Sequence, residues 1–526
     1  MSSEVQHASD PTTSEPPPRE GAWTRRGVLA ATAAGIATAA VGGAALGAET
    51  AGGADVAATD VSAQPAATPP GAWKHALGDP RGSDIAVTSG RSHEARFGVM
   101  FKDAPAYAPP DPLLTDLAAQ MREANPSPNL DNPSVMAGYT FLGQFIDHDM
   151  TLDRTPLPQQ NTDVKALTNF DTPLFDLGSV YGRGPTADPQ LYEKDGIRLL
   201  VAKNSQGVDD LPRNGDGTAM CGDARNDENL IVAQLHLLFL QFHNRCLSTG
   251  LAKTFADAQR LTRLHFQWII VHDFLRVLVG NDVVQDFLGA DRTKPAMKRQ
   301  FYKPKNPGRP MMPIEYSVAA FRFGHSMVRN GYLMNAGNFA FIFGTAGSDL
   351  RGSQPVPARF KIDWPRFFPS PDIPASGGNL ARLIDARLSS PLFTLPVVPD
   401  NGVRSLAERN LIRGKRLGLP SGQAVARAMG IPALSNGELG VPKPDDPGWG
   451  GEAPLWFYIL REAELKKSGR QLGPVGGRIV AEVILGILDA DKNSYLHAKG
   501  WQPTAPIART AGTFAMHDLI RFAQGS

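Results

Sequence analysis

The chain has 526 residues, enough for several domains or one large one, and at 42% hydrophobic and 20% charged residues it has the composition of a soluble globular protein. Lys plus Arg number 53 against 52 for Asp plus Glu, and the net charge of +1 excludes a general electrostatic pull toward nucleic acid or anionic membrane. Two cysteines, Cys221 and Cys246, exclude a disulfide framework; the mostly helical stretch between them would hold them roughly 35 Å apart, so both are expected as free thiols.

Residues 1–23 are polar, contain a PPP run and read as a disordered N-terminus. The stretch "TRRGVLAATAAGIATAAVGGAALGA" follows, with Arg25 and Arg26 ahead of a long uncharged Ala/Gly/Val run. Residues 24–50 look like a twin-arginine-type signal peptide, which predicts export to an extracellular, periplasmic or cell-wall space. A membrane anchor would want more Leu, Ile and Phe, and no stable span is expected in the mature form. Residues 51–90 read as an Ala/Pro/Thr linker. Residues 91–526 read as one large, mainly α domain with long loops and little sheet. Its apolar-periodic segments fall at 134–149, 226–249, 254–280, 314–330, 404–413, 421–429, 453–467 and 474–489, separated by Pro/Gly-rich connections such as "YKPKNPGRPMMP".

Four constellations carry charge into these apolar helices. In "FLGQFIDHDM" (141–150), Gln144, Asp147 and His148 fall at i, i+3 and i+4 and share a helix face, while Asp149 is turned about another 100° and must look elsewhere. In "CGDARNDENLIVAQLHLLFLQFHNRCL" (221–247), Arg225 and Glu228 are three residues apart. In "VAAFRFGHSMV" (318–328), His325 sits among apolar and small residues, with Arg322 three residues earlier. In "LAERNLIRGKRLGLP" (406–420), Asn410 and Arg413 repeat the spacing. Each alone is compatible with a surface ion pair or a hydrogen-bonded core histidine.

Taken together, "GQFIDHD", "GDARNDEN", "FLQFHNR", "FRFGH" and "RNLIRGKRLGLP", in this order, resemble the animal-type haem peroxidases of the peroxidase–cyclooxygenase superfamily, over about residues 95–490. The resemblance implies a haem b cofactor. His325 would be the proximal iron ligand, Asn410 the partner accepting its Nδ1–H, and Arg322 and Arg413 the propionate-binding arginines. His148 would be the distal base toward hydrogen peroxide, Arg225 the distal cation, and Gln144 the residue that fixes distal water. The implied reaction reduces peroxide through a ferryl haem and oxidises halide, thiocyanate or a small phenolic donor.

Asp147 and Glu228 match two carboxylates that form ester links to haem in mammalian members. Asn229 stands where a mammalian member carries a sulfonium-forming methionine, so that link is expected to be absent. Asp149 is implied as a calcium ligand, together with Thr172, the Leu174 carbonyl, Asp176 and the position of Gly178 in "TPLFDLGSVYG". The family usually has a serine at that last position, and Ser179 or water is the expected substitute. The alternative, a haem-dependent fatty-acid dioxygenase of the same superfamily, requires a tyrosine three residues before the proximal histidine. That position is Arg322, and Tyr316 and Tyr332 are displaced from it. A non-haem hydrolase built on residues 147–149 would leave His325, Asn410 and Arg225 without roles.

Overall fold

A computed structural model describes residues 97–124, 130–151, 169, 173–289, 299–304, 310–345, 347–370, 377–396 and 402–525. All of these fall within one unit, Thr68–Ser526. The segments read as disordered N-terminus, signal peptide and linker lie outside the described residues, as does Thr172.

Helices dominate: α1 (Asp111–Gln120), α2 (Gly138–Met150), α3 (Leu230–Ser248), α4 (Phe255–Ile269), α5 (Leu406–Arg416), α6 (Leu455–Lys467), α7 (Pro474–Ala490) and α8 (Met516–Gln524) are the principal ones. Strand content among the described residues is confined to four two-stranded sheets, one of them the antiparallel pair Gly331–Asn335 and Asn338–Phe341. Both cysteines are buried free thiols.

The apolar periodicity locates most of the helices, misses α1 and α8, and misplaces several starts. The 134–149 segment splits into a strand, Asp131–Met136, and then α2. Gly138 forces the break: its N–H bonds the Phe367 carbonyl at 2.8 Å, and a Cβ there would stand 2.4 Å from that oxygen. α3 begins at Leu230, because the Asn229 side chain accepts the Ile231 N–H at 2.8 Å and caps the helix. Thr254 caps α4 in the same way, and the 254–280 segment passes through a π-helical turn at Ile270–Phe274 before regaining α geometry over Leu275–Val279. The 314–330 segment is not an α-helix. It is a π-helical turn, Glu315–Ala319, followed by a 3₁₀ segment, Ala320–Met327.

Aromatic packing joins the helices that surround the site. Phe145 of α2 stacks on Phe239 of α3 with centroids 4.8 Å apart, and Phe266 of α4 meets both edge-on. α8 lies along α3, with Phe522 against Phe242 at 5.1 Å. Tyr139 of α2 donates to Asp273 at 2.5 Å, and the other oxygen of Asp273 accepts the Met516 N–H at 2.9 Å, so a buried carboxylate ties α2 to α8 through the π turn. Truncating Phe145→Ala removes the centre of this cluster. It is expected to lower the unfolding free energy by about 3–5 kcal/mol, read by urea denaturation.

Candidate functional site

Gln144, Asp147 and His148 line a cavity of about 960 Å³, together with Glu228, Asn229, Arg322 and His325. Much of the remaining wall is apolar, including Phe141, Phe274, Phe321 and Ile342. The volume is near the top of the ~300–1,000 Å³ range for small-molecule and cofactor sites. A smaller cavity of about 120 Å³ also has Asp147 and Arg322 in its wall and adds Arg225 and Arg413.

His148 is buried on α2, and its Nδ1–H donates to Asn226 Oδ1 at 2.9 Å. With the proton held on Nδ1, Nε2 keeps its lone pair. Burial, followed by the Arg225 guanidinium, pushes the ring down to about 4, so it stays neutral at ordinary pH. Asn226 spends its other end on His236, with Nδ2 donating to Nδ1 at 3.0 Å, and burial pushes His236 down to about 3.

The 3₁₀ turn Ala224–Asp227 carries Arg225. Asp223 caps the turn by accepting the Arg225 N–H at 2.9 Å, and its carboxylate also takes Arg225 Nη2 at 2.7 Å and Nε at 3.1 Å. Burial alone would raise the Asp223 carboxyl, but the guanidinium outweighs it and holds the group below its ordinary value. Arg225 Nη2 also donates to the His148 carbonyl at 3.1 Å. Glu228 opens onto the large cavity and is exposed to it. Desolvation by the surrounding protein raises its carboxyl, with Arg225 offsetting part of the effect. Thr151 donates to Asp147 Oδ1 at 3.1 Å.

His325 and Arg322 lie on the 3₁₀ segment. Residues three apart eclipse there, whereas an α-helix would splay them by about 60°. Arg322 Nε donates to the Ser317 carbonyl at 3.0 Å and Nη1 to Asn410 Oδ1 at 3.1 Å. Asn410 Nδ2 then donates to His325 Nδ1 at 2.8 Å. This reverses the expected bond, in which Asn410 accepts from the ring. The guanidinium has only donors, so it claims the amide oxygen and leaves the NH₂ for the imidazole. His325 is pushed down to about 3 by burial and then by Arg322.

Asp149 leaves α2 on another side. It is fully buried, with Oδ2 accepting the Leu177 N–H at 2.8 Å and Oδ1 the Ser179 N–H at 3.0 Å. Leu177 adopts φ 60°, a left-handed conformation uncommon for a leucine, and Asp176 Oδ1 accepts the Gly178 N–H at 2.9 Å. Among the described residues no three His, Cys, Asp or Glu side chains gather as a metal site. The expected calcium set is of another kind, two carboxylates plus carbonyl and hydroxyl oxygens. The buried Ser179 hydroxyl has no hydrogen-bond partner, which suits that role where Gly178 has no side chain to offer.

A family model for the animal haem peroxidase domain matches residues 147–438, more than half of the chain. The chain belongs to the animal haem peroxidase family. It is 25% identical to thyroid peroxidase of Rattus norvegicus over 308 residues, covering 51% of this chain and 31% of that protein. It is 30% identical to chorion peroxidase of Aedes aegypti over 177 residues, covering 30% of this chain and 21% of that one. The chain thus spans less than a third of these two relatives' lengths. Among solved structures, peroxidase A of Dictyostelium discoideum superposes with a TM-score of 0.51 at 17% identity, over 77% of this chain and 87% of that one. A fatty acid alpha-dioxygenase of Arabidopsis thaliana superposes with a TM-score of 0.52 at 15% identity, over 76% and 73%. These two likenesses establish the fold.

The motif reading misses Asp223, Asn226 and His236. Asp223, two residues ahead of Arg225, carries a cap signal; Asn226 lies inside the quoted motif without a distinguishing feature; His236 is hidden in the apolar run Leu235–Leu240. Five histidines, 148, 236, 243, 265 and 325, have folded-state values below the ordinary 6.5. The folded state therefore binds fewer protons than the unfolded chain between pH 6.5 and about 4. The unfolding free energy is expected to be insensitive to these groups above pH 7 and to fall between pH 6.5 and 5, by up to ~1.4 kcal/mol per pH unit for each histidine. Urea titrations at pH 7 and pH 5 check this, and equal stabilities would contradict neutral buried rings.

Proposed function

We propose that the chain is a haem peroxidase that binds haem b in the 960 Å³ cavity and couples reduction of hydrogen peroxide to oxidation of a halide, thiocyanate or small phenolic donor. The observation that carries this reading is that two neutral, amide-bonded imidazoles, His148 and His325, line one largely apolar cavity whose wall also holds Arg322. When bound, haem supplies the redox-active iron at which peroxide is reduced. His325 would hold the iron through Nε2, which would place the ring proton on Nδ1 and require the Asn410 amide to present its oxygen. Arg322 and Arg413, which share the smaller cavity, bind the propionates. The Nε2 of His148 takes a proton from peroxide and returns it to the departing oxygen, a role open to a ring that is neutral above about pH 4. Arg225 compensates negative charge as that oxygen departs, and Gln144 holds water in the cavity.

Asp147 and Glu228 are the candidates for ester links to haem. Asp149, Thr172, the Leu174 carbonyl and Asp176 hold calcium, with the Ser179 hydroxyl completing the set beside Gly178. Residues 24–50 direct export; among the described residues no helix is long and apolar enough to cross a membrane. The dioxygenase reading is disfavoured because Arg322 occupies the position its radical-forming tyrosine would need, and neither Tyr316 nor Tyr332 lines the cavity.

Reconstitution with hemin is expected to give a Soret band that shifts on adding peroxide. His148→Ala should keep the band and lose about 10²–10⁴-fold in the rate of the peroxide reaction, whereas His325→Ala should lose the haem. Undiminished peroxide turnover in His148→Ala would overturn the assignment of the base. Extraction into acidified organic solvent reads the links: haem is expected to stay with the polypeptide in the native protein and to come away in the double variant Asp147→Asn, Glu228→Gln.

A further inference from the structure

A base is useful only if the nitrogen that faces its substrate lacks a proton, and nothing on α2 itself decides which nitrogen of His148 that is. The decision is made by Asn226. Its Oδ1 stands 2.9 Å from His148 Nδ1, and its Nδ2 stands 3.0 Å from His236 Nδ1. All three side chains are buried, Asn226 and His236 almost completely. We propose that Asn226 is a positioning residue that fixes the tautomer of His148, and that His236 fixes the orientation of the Asn226 amide. The proposal rests on the peroxidase reading for its functional consequence only.

An amide turned with its oxygen toward His148 accepts Nδ1–H and leaves a lone pair on Nε2. An amide turned the other way donates to Nδ1, places the proton on Nε2 and disables the base. His236 distinguishes the two orientations. In the orientation observed, Asn226 Nδ2 faces His236 Nδ1, so that nitrogen accepts, the His236 proton lies on Nε2, and the amide oxygen is left facing His148. Burial reinforces the arrangement, because no water is at hand to satisfy a misplaced donor. The same turn also grips His148 at its backbone, through Arg225 Nη2 and the His148 carbonyl at 3.1 Å. Residues 225 and 226 thus hold one histidine at both ends. His236 also accounts for itself: it is the one polar residue in "LHLLFL" (235–240), a stretch of α3 that would otherwise be fully apolar. A ring there without a hydrogen-bond partner would carry an uncompensated desolvation cost.

Two measurements test the proposal. Nitrogen-15 NMR of the histidine-labelled full chain, taken as purified or as the diamagnetic carbonmonoxy ferrous form when haem is bound, reports which nitrogen of His148 bears the proton, with the resonance assigned through His148→Ala. The expected result is protonated Nδ1 and bare Nε2 in the native protein, and a mixture of tautomers in Asn226→Leu and His236→Phe. Stopped-flow mixing of the hemin-reconstituted protein with peroxide gives the functional side. Asn226→Leu, close in volume but without an acceptor, should slow the peroxide reaction by about 10²-fold, while Asn226→Asp, which keeps an oxygen toward Nδ1–H, should recover about tenfold of that loss. KM for the reducing donor should stay unchanged in both. A structural role alone would give two variants that fall together, with no change of tautomer. Native protein with the proton on Nε2, or Asn226→Leu reacting at the native rate, would overturn the proposal. Native protein that binds no haem would instead overturn the peroxidase reading, and the NMR result would still decide the tautomer.

Discussion

The rotation of α2 about its own axis is the constraint on which the site depends, and the buried carboxylate of Asp149 sets it. Both oxygens of Asp149 are engaged by backbone N–H groups of residues 177 and 179. Successive residues step by about 100° around a helix, so a rotation that sends Asp149 into that loop sends Asp147 and His148 toward the cavity. Slipping the helix by one residue would put a carboxylate where the imidazole stands and strand a charge in the core. The cost of three adjacent ionisable residues on a buried helix is offset because each has a different destination and a partner there: the loop N–H groups for Asp149, Asn226 for His148, and Thr151 for Asp147.

With α2 fixed, the chemistry is set by two amides, each bonded to one imidazole. Asn226 turns its oxygen to His148, and Asn410 turns its nitrogen to His325. A single such hydrogen bond is worth only about 1 kcal/mol net. Its consequence is larger than its energy, because it decides which ring nitrogen carries the proton. Each amide is itself held at its far end, by His236 in one case and by Arg322 in the other. The His148 side therefore has its lone pair already facing the cavity. The His325 side is held in the opposite sense by the Arg322 guanidinium.

How much of this the sequence reveals follows from what each feature depends on. Helix positions depend on local periodicity, and seven of the eight segments hold α-helices to within a few residues at most ends, while α1 and α8 go unread. Helix starts depend on partners distant in the chain: the carbonyl of Phe367 ends the strand-like run before Gly138, and no local rule announces it. The 3₁₀ geometry at Ala320–Met327 is likewise invisible to an apolar pattern, yet it is what aligns Arg322 with His325. The site residues named by motif do gather, since His148, His325, Asp147, Glu228, Gln144 and Arg322 line one cavity. The direction of the Asn410 bond and the existence of the Asn226–His236 pair are not legible, because both depend on which donor reaches which end of an amide in three dimensions.

Asn229 shows how one position can settle a structural and a chemical question together. It follows Glu228 at the cavity wall, where a mammalian member carries a methionine able to bond to haem. Here its side chain accepts the Ile231 N–H at 2.8 Å and starts α3, the helix that carries His236 and packs against α2 through Phe239. An uncapped start would cost about 1 kcal/mol and loosen the turn on which Arg225, Asn226 and Glu228 are mounted. A thioether cannot accept that bond with comparable strength. The residue that secures the helix is thus one that has no sulfur to offer a ligand in the cavity. Glu228, which lines the same cavity, has its carboxyl raised by desolvation, with Arg225 offsetting part of the effect.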